Sequence, residues 1–136
     1  MKYLLILLFL FSTHSFSADL DGKGLTCYKI EVNNLKKYSA YYFKKKKKVK
    51  VYNLKKIENE IKIKYSYDLK YTNDKDFITI FNNYSFYKID RKTLEIASDK
   101  KTQCKLHTSL LEVFKQMKIY ANQEKEKLVK IIQLED

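Results

Sequence analysis

The chain has no proline and no tryptophan, two glycines, two cysteines, two histidines and a single arginine, Arg91. Each shortage excludes something. With Gly22 and Gly24 as the whole glycine complement there is no glycine loop to cradle a phosphate, and neither an HExxH helix nor a GxSxG nucleophile elbow occurs. His14 falls in the leader described below, which leaves His107 alone. A catalytic histidine needs a nucleophile and an orienting partner, so a lone one beside a helix start reads as structural. The carboxylate pairs Glu58/Glu60 and Asp74/Asp76 stand two residues apart in turns flanked by lysines, as solvated loops do. Asp19-Leu-Asp21-Gly22 and Asn73-Asp74-Lys75-Asp76 fall short of the ligand number of a calcium loop. The residues call for no metal and no cofactor, and an enzyme is not expected. A cryptic hydrolase would require carboxylates facing each other across a cleft, which spacing along the chain does not reveal.

The first 18 residues have the layout of a Sec-type secretory signal peptide. Lys2 precedes an apolar run from Tyr3 to Phe11, and small polar residues lead to a cleavage site after Ser17 or Ala18. The apolar run is about half the roughly 20 residues that a membrane span needs. No cysteine near the cleavage site offers a lipid anchor. The mature protein is therefore expected in the periplasm or secreted, and not transmembrane once cleaved. About 118 residues remain, enough for one domain with a core. The expected organisation is a signal peptide at 1–18, an antiparallel β domain at 19–106, and a C-terminal helix at 107–136 packed on that domain or extending from it.

Cys27 and Cys104 are the whole cysteine complement. In an oxidising compartment an even pair reads as a disulfide, and closing so long a loop stabilises by roughly 4 kcal/mol in the chain-entropy model. They are too far apart for a CxxC redox pair and have no partners for a zinc site.

The β reading rests on period two. In IKIKYSYDLKY, Ile61, Ile63, Tyr65, Tyr67, Leu69 and Tyr71 alternate with polar residues, which predicts a strand with one buried and one wet face. Further strands are expected at Leu25–Val32, Tyr38–Phe43, Val49–Leu54, Phe77–Phe81, Tyr84–Asp90, Leu94–Ala97 and Thr102–Leu106. Between them Asn33-Asn34, Asn73-Asp74, Asn82-Asn83 and Asp90-Arg91-Lys92-Thr93 mark turns. Asn and Asp tolerate left-handed backbone and so replace the missing glycine. The expected fold is mainly β: an antiparallel meander of about seven or eight short strands, closed as a barrel or left as a half-open clam, with one C-terminal helix. Ser109-Leu-Leu-Glu112 is a capping box that starts the helix. Leu110, Phe114, Met117, Ala121, Leu128 and Ile131 then recur at helical spacing. Tyr38, Tyr41 and Tyr42 fall on both faces of one strand, so at least one is expected to be exposed.

The formal net charge of +12 comes almost wholly from lysine. A phosphate-gripping site usually draws on arginine, whose planar fork pairs bidentately. From His107 onward acids and bases balance, so the excess lies on the strand region. YYFKKKKKVKVYNLKK concentrates it: Lys44, Lys45, Lys46, Lys47 and Lys48, then Lys50, form the candidate anion-binding site, read as the tip and outer face of a hairpin. Export keeps such a site from nucleic acid. The anions it can meet are anionic lipid, lipopolysaccharide phosphates or acidic glycans, and the rival reading is a merely solvated turn. Small disulfide-closed barrels also serve as lysozyme inhibitors, but a basic inhibitor is repelled by a basic lysozyme.

The stretches ADLDGKGLTCYK and YKIDRKTLEIASDKKTQCKL, with the general layout of signal, strands and charged C-terminal helix, resemble small exported proteins of AT-rich marine alphaproteobacteria. The resemblance implies a periplasmic home in a Gram-negative cell and carries over no activity and no catalytic residues. The expected function is a small exported, non-enzymatic β module that associates weakly with anionic surfaces. The alternative is a scaffold that docks a protein partner through its C-terminal helix.

Overall fold

A computed structural model describes residues 19–31, 36–97 and 99–135. The leader at 1–18 and the Asn33-Asn34 turn lie outside the described residues. Eight strands follow one another: β1 (Gly24–Ile30), β2 (Lys36–Lys44), β3 (Lys48–Ile57), β4 (Glu60–Asn73), β5 (Phe77–Phe81), β6 (Phe86–Asp90), β7 (Glu95–Ile96) and β8 (Asp99–His107). Each pairs antiparallel with the next, and β8 returns to β1, so the meander closes into a barrel. Of the two expected forms, the closed one is found. A single helix, α1 (Leu110–Glu135), follows.

The seam is stapled. Cys27 on β1 stands directly opposite Cys104 on β8 and the two form a disulfide, with Cα atoms 4.0 Å apart. The bond thus joins the first and last strands inside the barrel, where closure depends most on long-range pairing.

An eight-stranded barrel is just wide enough to be filled by its own side chains. Leu25, Phe43, Val49, Tyr71, Ile80 and Ile89 are among those that fill this one. One end is plugged by the segment before β1. Gly22 N donates to Phe43 O and Phe43 N to Lys23 O, both at 2.9 Å, which lowers Leu20 into the core. Gly22 makes that bend with φ of 81°, a conformation that suits glycine.

Helix α1 lies on the outside of the barrel, across β1, β2 and β4. Ser109 Oγ accepts from Glu112 N at 3.2 Å. The Glu112 carboxylate reaches back to Thr108, accepting from its N–H and its hydroxyl at 3.0 Å each. Val113 and Met117 are fully buried against Ala40 and Tyr52, with Leu110, Phe114 and Tyr120 beside them. Val113 and Tyr120 extend the stripe expected from sequence. Gly24 permits this approach: a Cβ there would lie 2.5 Å from Val113 Cγ2 and 2.8 Å from Tyr41 O.

Two expectations are corrected. The alternation of Ile61–Tyr71 does not keep one face. Val51 pairs with Tyr67 and Tyr52 with Tyr65, which leaves Ser66 as a bulge. Beyond it Leu69 and Tyr71 join the barrel core, whereas Ile63 packs in the cluster beneath the helix. Nor is any of Tyr38, Tyr41 and Tyr42 exposed. Tyr41 points into the barrel, Tyr38 stacks on Tyr120 at 4.5 Å, and Tyr42 is half-buried in the helix cluster. Strand β2 is covered on both faces because the helix adds an outer layer that alternation within β2 does not announce.

Candidate functional site

The lysine tract forms the β2–β3 hairpin end. Lys44 pairs with Lys48, and Lys45, Lys46 and Lys47 make the loop between them. Lys46 and Lys47 adopt φ of 62° and 56°, so the connection turns without glycine. Lys45 to Lys48 are exposed and Lys44 is half-buried. Five adjacent ammonium groups repel one another and are tolerated only in water or against an anion.

The tract is held in place. Lys47 O accepts from Tyr71 N at 3.0 Å, and its Nζ donates to Asn73 Oδ1 at 2.9 Å while lying 5.3 Å from the centre of the Tyr71 ring. The Tyr71 hydroxyl donates to Asp21 Oδ1 at 3.4 Å, and burial together with that carboxylate pushes it up to about 12. Among the described residues Lys44, Lys45, Lys46 and Lys48 make no ion pair. They border a shallow depression of about 540 Å³ that also includes Asp21, Tyr42 and Phe43. Lys50 is set apart from the tip. It is half-buried on the outer face, opposite Asp68, with Nζ 5.0 Å from the centre of the Tyr65 ring.

Strand register extends the site beyond the tract. Lys44 is opposite Lys48, Lys48 opposite Lys70, Lys70 opposite Phe81, and Phe81 opposite Phe86. Directly paired residues share a face, so one row crosses five strands on the outside of the barrel: three lysines, then two phenylalanines. Phe81 is 41% exposed, Phe86 60% and Tyr84, at the β5–β6 tip, 98%. The two phenylalanine rings lie 6.3 Å apart. Lys48 and Lys70 line a hollow of about 370 Å³ with Phe81, Asn82 and Asn83. Period two marks Phe77–Phe81 and Tyr84–Asp90 as strands without marking their outward aromatic residues as part of a site. The available signal was Phe81 and Phe86 falling out of phase with the apolar residues Ile78, Ile80, Tyr87 and Ile89.

The residues weighed for catalysis are placed otherwise. His107 is buried and shares a hydrogen bond of 2.8 Å with Thr26 Oγ1, and burial holds its imidazole below the ordinary range. Asp74 Oδ1 accepts from the amides of Asp76 and Phe77 at 2.8 Å each, which draws its carboxyl below the usual range. Glu58 lies in the two-residue β3–β4 turn, and Glu60 follows it. Among the described residues no three His, Cys, Asp or Glu side chains gather as a metal site.

The class defined is an eight-stranded up-and-down β-barrel, apolar within, disulfide-closed at its seam and carrying one external helix. None of its described helices is long and apolar enough to cross a membrane. No family model, curated protein or solved structure matches the chain.

Proposed function

We propose that the protein is an exported, non-enzymatic β-barrel module that attaches reversibly to the anionic lipid of the cell envelope, in the periplasm of a Gram-negative cell. The observation that carries this is the cross-strand row from Lys44 to Phe86. Lysines near an anionic bilayer each contribute about 1 kcal/mol, and this contribution is screened by salt. Aromatic rings favour the headgroup level, where an apolar body and a polar edge are both accommodated. A row that joins both kinds of group on one rigid sheet is suited to a bilayer surface. A solvated turn accounts for the lysines alone and leaves Phe81, Tyr84 and Phe86 unexplained. The disulfide supports an oxidising compartment outside the cytoplasm.

Docking of a partner through the helix has less support. The main apolar stripe of α1, with Val113 and Met117, is already packed on the barrel. The exposed Leu111, Ile119 and Val129 follow one another at about 12 and 15 Å along the axis, with Ile119 turned about 80° from the other two, and form no single patch. Co-sedimentation with phosphatidylglycerol-containing against pure phosphatidylcholine vesicles, over a salt series, tests the proposal. Binding to the anionic vesicles that weakens with salt is expected. Equal binding to both, or to neither, refutes it, and binding to acidic glycan alone moves the partner to that class.

A further inference from the structure

At the end of β1 and β2 remote from the lysine tip, the barrel opens into a cavity of about 260 Å³. We propose that this mouth is a receptor site for a small organic acid, with the carboxylate held at Lys37 and the apolar or aromatic body between the tyrosines below.

The wall is built of two kinds of residue at two depths. Tyr41, Tyr67 and Tyr87 with Val51 and Ile96 form the apolar part. The Tyr41 and Tyr87 rings stand 6.1 Å apart, tilted. Burial, with the Tyr41 hydroxyl beside it, raises the Tyr87 hydroxyl and keeps it a neutral partner. Ser39, Asn53 and Thr102 supply neutral polar groups around them; the Asn53 amide is held by donating to Ser66 Oγ at 2.6 Å and the Thr102 hydroxyl by donating to Asp99 Oδ2 at 3.4 Å. The wall thus joins an aromatic and aliphatic face to a nearly equal share of polar and charged groups, in the mouth of a barrel, a place where small ligands are held. The volume falls below the roughly 300–1,000 Å³ of sites for drug-sized ligands, so the occupant is small.

Charge at the rim selects an anion. Asp99 is the carboxylate lining the cavity, and it is already engaged: Lys29 Nζ lies 3.0 Å from Oδ2, and the Lys101 amide donates to Oδ1 at 3.1 Å. Lys37, directly opposite Lys29 in the β1–β2 register, has no ion-pair partner among the described residues. Lys37 also borders the groove beneath the helix, where Glu31 and Glu124 stand, and it makes an ion pair with neither. Above the mouth the β3–β4 ribbon adds more positive charge. Asn53 lines the cavity and pairs with Lys64, and two residues further Lys55 pairs with Lys62 on the same face. Lys62 is neutralised by Glu60 at 3.4 Å, which leaves Lys55 and Lys64 to draw an anion toward the opening. A neutral ligand gains nothing from this arrangement, and a cation is repelled.

The test is a nitrogen-15 NMR titration of the mature disulfide-bonded protein with phenylacetate, and in parallel with its neutral isostere phenylacetamide. Saturable shifts at Ser39, Asn53 and Thr102 are expected for phenylacetate, with phenylacetamide at least fivefold weaker. Lys37→Gln, at an exposed rim position, should weaken phenylacetate about fivefold, as for the loss of an exposed ion pair, and leave phenylacetamide unchanged. Replacing Lys44–Lys48 by serine should change neither. Shifts confined to the lysine tract, equal affinity for acid and amide, or no saturable shift at the mouth would each overturn the proposal. These outcomes are independent of whether the protein binds vesicles.

Discussion

Lys70 on β4 lies directly opposite Phe81 on β5, on the outer face of the barrel, and at this pair the basic part of the surface meets the aromatic part. The tract at Lys44–Lys48 and the rings at Phe81 and Phe86 are more than 30 positions apart in the chain. Lys70, opposite Lys48 on its other side, is the link that makes them one surface. A cation beside an exposed ring pairs charge attraction with partial burial, the combination that a headgroup layer offers.

The seam disulfide should be a main determinant of stability. Replacing Cys27 and Cys104 together by serine is expected to lower the urea unfolding free energy by about 2–5 kcal/mol. Neither cysteine of the oxidised protein should be labelled by an alkylating agent before reduction. Quantitative labelling of both would show the bridge absent.

Gly24→Ala tests the contact between helix and barrel. The new methyl would meet Val113 Cγ2 and the Tyr41 carbonyl, so α1 must shift outward. A destabilisation of about 1–3 kcal/mol is expected, as for overpacking a core, with faster hydrogen exchange in the first turns of α1. Val113→Ala in the same background should recover part of the loss. An unchanged unfolding curve for Gly24→Ala would contradict the packing described.

The β3–β4 turn should accept improvement. Glu58 and Asn59 have φ of 50° and 69°, the left-handed pair of a two-residue hairpin turn that favours Asn-Gly. Glu58→Asn with Asn59→Gly is expected to stabilise by about 1 kcal/mol in urea unfolding. A loss of stability would mean that the turn does not have this geometry.

His107 should give the protein a pH dependence above the carboxylate range. Burial, reinforced by Lys105 and opposed by Glu112, lowers its folded-state pKa. The unfolded chain therefore takes up the proton first. The contribution is fully present above the unfolded value of about 6.5 and is lost as pH falls through the folded one. Asp74, Asp99 and Glu112, all lowered, act below the unfolded carboxylate range of about 4, in a separate window. His107→Gln should flatten the decline in urea midpoint between pH 7 and 5. A slope the substitution leaves unaltered would assign that decline to another group.

Much of the barrel was legible because its signals are local. Period-two runs located the eight strands, and Asn and Asp marked most of the turns. Ser109 and Glu112 announced the helix start, although Glu112 reaches back to Thr108 rather than to Ser109 itself. What depends on register was not legible. The bulge at Ser66 reverses the faces of β4, and nothing in the alternation of Ile61–Tyr71 signals it, because tyrosine suits either side. The cover that α1 gives β2 likewise hid the burial of Tyr38 and Tyr42. For the site, the lysines stood out as a run, whereas Lys70, Phe81 and Phe86 reach them only through three successive strand pairings. The barrel mouth is assembled from scattered residues of every strand but β5 and leaves no motif.

If the lysines and the rings bind as one surface, a vesicle assay that separates them will show it. Three proteins are compared on phosphatidylglycerol-containing vesicles over a salt series: the native chain, Lys44–Lys48 changed to serine, and Phe81, Tyr84 and Phe86 changed to serine. The lysine variant should lose most of the affinity and flatten the salt slope. The aromatic variant should weaken binding at every salt concentration while keeping the slope. Unaltered binding and slope in the lysine variant would reduce the tract to a turn and remove the basis for membrane attachment.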